Sequence, residues 1–228
     1  ESTADPLSTI TVYENVLHDE FHAVRHKHSG NVLMEAYHNV IYDSESAFYL
    51  RTARAEVHHN LIYRVGDAFR IWDENRQADS EQWLSHNTIA ESDSLLVVLS
   101  DDPDYTRVVH LTDNLFAARS SSDGVLILAR WGSDYGVSIE GWTFASNLYD
   151  LTDGGADFLF HKEIGVAGTP VALPFSAALT HLGDTTSISE AAGFVDAGAN
   201  DYRLDATSPA RAAASDGGDI GALVYEDP

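Results

Sequence analysis

The sequence predicts an all-β chain wound as a coil of stacked parallel sheets, and three observations carry that expectation. An asparagine recurs in one setting: Glu14-Asn15-Val16-Leu17, His38-Asn39-Val40-Ile41, His59-Asn60-Leu61-Ile62, His86-Asn87-Thr88-Ile89, Asp113-Asn114-Leu115-Phe116 and Ser146-Asn147-Leu148-Tyr149, at spacings of 24, 21, 27, 27 and 33 residues. Three residues before each stands an apolar residue (Val12, Ala36, Val57, Leu84, Leu111, Phe144), and two after stands another (Leu17, Ile41, Ile62, Ile89, Phe116, Tyr149). A second segment in each unit alternates with period two, as in Ala47-Phe48-Tyr49-Leu50-Arg51 and Ala68-Phe69-Arg70-Ile71-Trp72, with no competing 3.6-residue period. Short strands that return every ~20–30 residues without helices between them stack repeat on repeat.

Each part of the unit has a physical reason. An asparagine stacked at a bend can bond the backbone of its own turn and of neighbouring repeats, so a buried amide stays satisfied. The segment after it sorts into columns. Nine residues on stand Val24, Phe48, Phe69 and Leu96, with Val125 after a two-residue insertion; eleven on stand His26, Leu50, Ile71, Val98 and Ile127. Those columns are expected to face inward. The alternating outward columns read Arg25, Tyr49, Arg70, Val97, Leu126 and Lys27, Arg51, Trp72, Leu99, Leu128. The outer face thus begins cationic and aromatic and turns apolar, and an apolar strip is normally covered. The expected cover is Phe158-Leu159-Phe160 with Val171-Ala172-Leu173-Pro174-Phe175, folding back over the later rungs.

Residues 1–150 read as about six rungs with asparagine corners, and residues 151–228 as a C-terminal rung, covering loop and cap. Adjacent rungs stand ~4.8 Å apart, so such a coil is only ~25–30 Å long. No helix or apolar plug is legible before the first rung, so another subunit, or upstream rungs of a longer parent chain, is expected against it. The opening Glu-Ser-Thr-Ala-Asp-Pro carries no initiator methionine and does not read as a signal peptide, as in a processed or trimmed product.

The asparagine corners over roughly residues 8–150 resemble the right-handed parallel β-helix proteins of the pectate-lyase-like superfamily. The ending Gly193-Phe194-Val195-Asp196, Asp201-Tyr202-Arg203-Leu204, Ser208-Pro209-Ala210 and Asp219-Ile220-Gly221-Ala222 is similar to the closing segment of secreted members. The resemblance implies the fold; this fold hosts many activities.

Composition narrows the partners. The 228 residues are 44% apolar and 10% aromatic, enough to bury a core. With 36 acidic against 13 basic residues the formal charge is -23, which argues against nucleic acid and anionic membranes. No apolar run approaches the ~18 residues of a membrane span. There is no cysteine, so neither a disulfide framework nor a thiolate metal site is available. Lysine occurs only as Lys27 and Lys162, an acidic, lysine-poor pattern that fits a saline environment or a GC-rich genome. Residues 1–80 nevertheless hold seven of the 13 basic residues and seven of the 11 histidines.

That first third supplies the candidate site: Arg25, Lys27, Tyr49, Arg51, Arg70 and Trp72, flanked by His22 and His28. Guanidinium groups bind carboxylates bidentately and flat rings stack on pyranose faces, so the set suits an acidic polysaccharide. Removal of a uronate C5 proton with β-elimination needs a carboxylate neutraliser, a base and an acid. Lys27, flanked by Arg25 and Arg51, is the expected base; Arg51 and Arg70 are neutralisers, and Tyr49 or a nearby histidine is the acid. The run Ala23-Val24-Arg25-His26-Lys27-His28-Ser29-Gly30-Asn31, followed by Phe48-Tyr49-Leu50-Arg51, is similar to the lysine-then-arginine pair of the chondroitinase B and alginate lyase family. That likeness implies Ca²⁺ held by acidic residues shortly before the lysine, where Glu20 is the match and the next ligand falls on His22. The expectation is a secreted polysaccharide lyase; the alternative is a non-catalytic glycan-binding or structural β-helix module of a larger extracellular protein.

Other signals carry less. Asp73 and Glu74 are adjacent, so strand geometry would point them to opposite faces, unlike a hydrolytic pair. Asp101-Asp102-Pro103-Asp104 and Asp216-Gly217-Gly218-Asp219 read as solvated acidic turns. His38, His59 and His86 precede successive asparagines and should stack outside one corner, as a surface ladder or a transition-metal site.

Overall fold

The computed structural model describes residues 8–27, 32–72, 80–100, 107–118, 126–130, 141–151, 159–161 and 171–222, with 99–100, 126–130, 159–161, 171–173 and 181 described by their backbone. Strands come in triplets along the chain: β1 (Ser8–Tyr13), β2 (Val16–His18) and β3 (His22–His26), then β4 (Val32–Tyr37), β5 (Val40–Tyr42) and β6 (Ser46–Leu50). They continue as β7 (Arg54–His58), β8 (Leu61–Tyr63) and β9 (Asp67–Trp72), then β10 (Ser80–Ser85), β11 (Thr88–Ser92) and β12 (Ser94–Ser100). Next are β13 (Arg107–Thr112), β14 (Leu115–Ala118) and β15 (Leu126–Arg130), and last β16 (Thr143–Ala145), β17 (Leu148–Asp150) and β18 (Leu159–His161). The first, second and third members form three separate sheets, each strand pairing in parallel with its counterpart in the next triplet. The chain is therefore all-β with parallel sheets.

The corners explain how so few residues turn the chain. The residue before each repeating asparagine is left-handed, with φ of 54, 55, 55, 50, 58 and 54° at Glu14, His38, His59, His86, Asp113 and Ser146. A second bend lies four residues after the asparagine, with φ of 58, 50, 51 and 49° at Asp19, Asp43, Arg64 and Glu91. Non-glycine residues occupy this region at a cost, and the asparagine amides offset it. Asn87 is typical: Nδ2 donates to Asn114 Oδ1, to its own turn at Ser85 O and to the previous repeat at Val57 O, while its Oδ1 accepts from Asn60 N and Nδ2.

The core lies between the sheets. The residues three before and two after each asparagine fill it from Ala36 and Ile41 onward, joined by Phe48, Phe69, Leu96, Leu50, Ile71 and Val98 from the third sheet. Phe48 and Phe69 stack at 5.8 Å.

Two expectations are corrected beyond the core. The pairing places Leu126 opposite Leu96, Ile127 opposite Val97 and Leu128 opposite Val98. Leu126 and Leu128 therefore share register with the inward columns and Ile127 with the outward one, because a one-residue slip exchanges the two faces. The expected cover is also different. Leu159–His161 is a strand of the third sheet, and β19 (Val171–Leu173) pairs with it antiparallel at that sheet's end; Phe158 lies outside the described residues. From there α1 (Phe175–Leu182) packs on the end of the core through Phe175, Ala178 and Leu182, with Phe175 edge-on to Tyr149 at 5.7 Å. Gly183, left-handed at φ 70°, ends the helix.

The asparagine ladder ends on hydroxyls. Ser187 Oγ accepts from Asn147 N at 2.8 Å, Thr186 Oγ1 accepts from Ser146 N at 2.8 Å, and Asp184 Oδ1 holds both by accepting their N–H groups. The closing segment, with β20 (Phe194–Asp196) and β21 (Asp201–Leu204), then runs back over the outer face of the second sheet. Tyr202 meets Tyr63, and Leu204, Ala210 and Ile220 pack on Leu115 and Leu148. Gly221 and Ala222 donate to Asp113 O and Thr88 Oγ1. Among the described residues no helix is long and apolar enough to cross a membrane.

Candidate functional site

The third sheet presents the candidate residues on its outer face at its first three strands. Register sets Arg25 beside Tyr49 and Tyr49 beside Arg70. Arg51 N donates to His26 O at 2.9 Å, so Lys27 and Arg51 follow the ends of neighbouring strands. Arg25 and Lys27 are exposed, and Arg51 and Trp72 are half-buried. His28 lies outside the described residues, as do Asp73, Glu74 and Asp101–Asp104.

Tyr49 departs from expectation. It is 2% exposed, stacked against His22 at 4.5 Å, edge-on to Trp72 at 6.0 Å, and covered by the Arg25 guanidinium 5.0 Å from its ring centre. The strip expected to be open is closed at its centre, because long side chains on flanking strands lie across the flat ring. Arg70 also differs: Nε donates to Asp67 Oδ2 at 2.7 Å, and Nη1 lies 3.6 Å from Glu45 Oε1. Burial pushes the Asp67 carboxyl up and the Arg70 charge opposes that shift. Arg70 is thus committed to two carboxylates. The open part of the strip is Arg25, Lys27 and the edge of Arg51, with His22 held at Ser46 Oγ. Burial, then the charges of Arg70 and Arg25, lowers the His22 pKa, which keeps the imidazole neutral near pH 7.

Glu20 is exposed, and its N–H donates to Ser44 Oγ. Among the described residues no three His, Asp or Glu side chains stand close enough to share an ion.

The histidine ladder has a particular shape. His59 and His86 stack at 4.9 Å and 12°, whereas His38 meets His59 edge-on at 5.8 Å. His58, from the neighbouring column, brings its Nδ1 to 2.9 Å from His59 Nδ1. His86 Nε2 stands 3.7 Å from Asp113 and 3.8 Å from Asp216 of the closing segment. Burial, then His86, His58 and His38, pushes His59 down to about 4, with Asp216 opposing. Its folded pKa lies below the unfolded value, so the unfolded chain binds the extra proton between pH 6.5 and about 4. This stability is complete above pH 6.5 and falls with pH through that window. Discounted for screening at a half-buried ring, the expected loss is about 1–2 kcal/mol. Urea unfolding at pH 7 and pH 4.5 measures it, and His59→Asn should flatten the difference.

The first sheet carries a further set that the sequence spacing also marks. Aligning the first strands on the asparagine places Glu35, Glu56, Trp83 and His110 in one outward column of the first sheet. Tyr13, Tyr37 and His58 stack beside it at 5.5 and 5.3 Å. The Arg54 guanidinium lies 5.2 Å from the Trp83 ring centre, and Trp83 stacks on His110 at 5.4 Å. Within these columns the ring faces cover one another, so beyond the terminal Tyr13 this surface offers mainly edges and carboxylates.

No protein-family model matches the chain, and no curated protein matches it either.

Proposed function

We propose that the chain is a right-handed parallel β-helix of about six rungs, secreted, in which the cationic strip of the third sheet engages an acidic polysaccharide and cleaves it by β-elimination. One observation carries this reading: in a chain of formal charge -23, Arg25 and Lys27 are exposed together beside Arg51, and neither has a carboxylate partner among the described residues. Arg64, Arg70 and Arg203, by contrast, are paired with Asp43, Asp67 and Asp201. Parallel crossovers are almost always right-handed, which supports the handedness.

In this reading Arg51 and Arg25 pair with the uronate carboxylate and draw charge from C5. The Lys27 amine takes the C5 proton. The electron pair forms the C4–C5 double bond as the C4–O bond breaks, and the leaving oxygen receives a proton. The buried Tyr49 phenol is poorly placed to supply it and the neutral His22 imidazole has no acidic proton to give, so water does so. The same burial favours the second reading, a binding module without catalysis.

Unsaturated uronate ends absorb in the near ultraviolet, so alginate, pectate, chondroitin and hyaluronate, each with and without Ca²⁺, form the assay. Absorbance is expected to grow on at least one polymer, and Lys27→Ala should lower the rate by ~10²–10⁴. Retained binding with no absorbance on any polymer establishes the module instead. Activity that survives both Lys27→Ala and Arg51→Ala moves the site elsewhere.

A further inference from the structure

The two ends of the stacked sheets are built differently. At the far end the ladder stops on Ser187 and Thr186, and β19 and α1 close the third sheet and the core. At the near end β1, β2 and β3 are the terminal strands of their sheets. Large apolar side chains stand open there: Ile10 at 44%, Tyr13 at 51%, Val16 at 64% and Phe21 at 63% exposure.

Hydrogen-bond geometry defines what would fit. In every later repeat the asparagine Oδ1 accepts from both the N–H and the Nδ2 of the preceding asparagine; Asn39 does so from Asn15, at 3.1 and 3.0 Å. Asn15 Oδ1 receives no such pair from the described residues. Val40 N donates back to Asn15 O, and Glu45, Ser46 and Arg51 N donate back to Glu20, Phe21 and His26 O. By register, the matching N–H groups of the first triplet are those of Val16, Phe21, His22 and Lys27, and they point to the open side. The ring columns end there as well: Tyr13 caps the Tyr37–His58 stack and His18 caps the Tyr42–Tyr63 stack, each with one face uncovered by the column.

We infer that this edge is an acceptor for one more three-strand repeat, donated in parallel by another polypeptide segment that carries an asparagine at its first corner and apolar residues three before and two after it. Its asparagine N–H and Nδ2 donate to Asn15 Oδ1, its carbonyls accept from the four waiting N–H groups, and its apolar residues cover Val12, Leu17 and Val24. A second copy of the chain fits less well. Two-fold pairing would run the strands antiparallel and set Asn15 Oδ1 against its own equivalent, while head-to-tail stacking meets β19 and α1. The inference is independent of the polysaccharide reading, since it concerns strand edges rather than the cationic strip.

The test adds a peptide with the sequence of residues 32–53, which contains such a repeat around Asn39, to the intact chain. Amide hydrogen exchange at Val16, Phe21, His22 and Lys27 is expected to slow at least tenfold. The same peptide carrying Asn39→Ala should change it less than twofold. As a second arm, the 32–53 segment joined directly ahead of Ser8 should protect the same four amides and raise the urea midpoint, and its Asn39→Ala form should lose most of that gain. Unchanged exchange in both arms overturns the inference. So does protection that rises with protein concentration without peptide, with a dimer in light scattering, because a second copy is then the occupant.

Discussion

Asn87→Ala is expected to destabilise the chain by about 3–5 kcal/mol, whereas Asn15→Ala should cost less than about 1 kcal/mol. The substitution removes an acceptor on which Asn60 N depends at 3.1 Å, and donors to Val57 O, Ser85 O and Asn114 Oδ1. Asn87 is fully buried, so water cannot replace those partners. Each buried group left unsatisfied costs about 1–3 kcal/mol, and partial relaxation keeps the sum below the simple total. Asn15 sits at the open end and is exposed, so solvent takes over most of its bonds. Asn87→Asp separates the two halves of the effect, since it keeps the acceptor and loses the donors. It should remain strongly destabilised, because a carboxylate among carbonyls has no donor to offer. Urea midpoints of the three variants give the ranking; near-equal values for Asn15→Ala and Asn87→Ala would sink the ladder account.

Gly66→Ala is the second large effect, expected at about 3 kcal/mol. A Cβ built on Gly66 lies 2.5 Å from Glu45 O, and that carbonyl already accepts from Asp67 N at 2.9 Å. The clash is with backbone locked between repeats, so relief must come from opening the corner. Gly183→Ala is the control: its Cβ meets nothing within 4 Å, leaving only the left-handed penalty of about 1–2 kcal/mol. Gly66 precedes Asp67, which holds Arg70, so the variant also reaches the candidate site. Displacing Asp67 would release Arg70 towards the cationic strip. Binding of an acidic polysaccharide should then hold or tighten even as the fold weakens, which separates a stability defect from a site defect.

These cases show where legibility begins and ends. Asn87 could be read from spacing alone, because a ladder repeats one chemical demand at every turn and so leaves a period in the sequence. The inward columns were readable for the same reason: Phe48, Phe69 and Leu96 each answer the same local geometry. Gly66 leaves no period, since glycine stands six residues after the asparagine in this repeat while Glu45 and Asp93 stand there in its neighbours. The pairing of Leu126 with Leu96 was missed by one residue because insertion length does not reveal which strand residue resumes the ladder. Tyr49 reads as outward, and it does point outward, yet Arg25 and His22 close over it. Alternation reports the face of a sheet and says nothing of what neighbouring side chains lay across that face.

By itself, the sequence determined the strand repeat, the asparagine corners and the inward columns, because each is a local demand of backbone geometry renewed in every unit. Tertiary structure alone decided that Arg70 is tied to Asp67 and Glu45, that Tyr49 is covered, and that residues 188–222 lie along the second sheet. Those outcomes depend on contacts between distant segments that occur once, such as Tyr202 on Tyr63, and a contact made once imprints no periodicity.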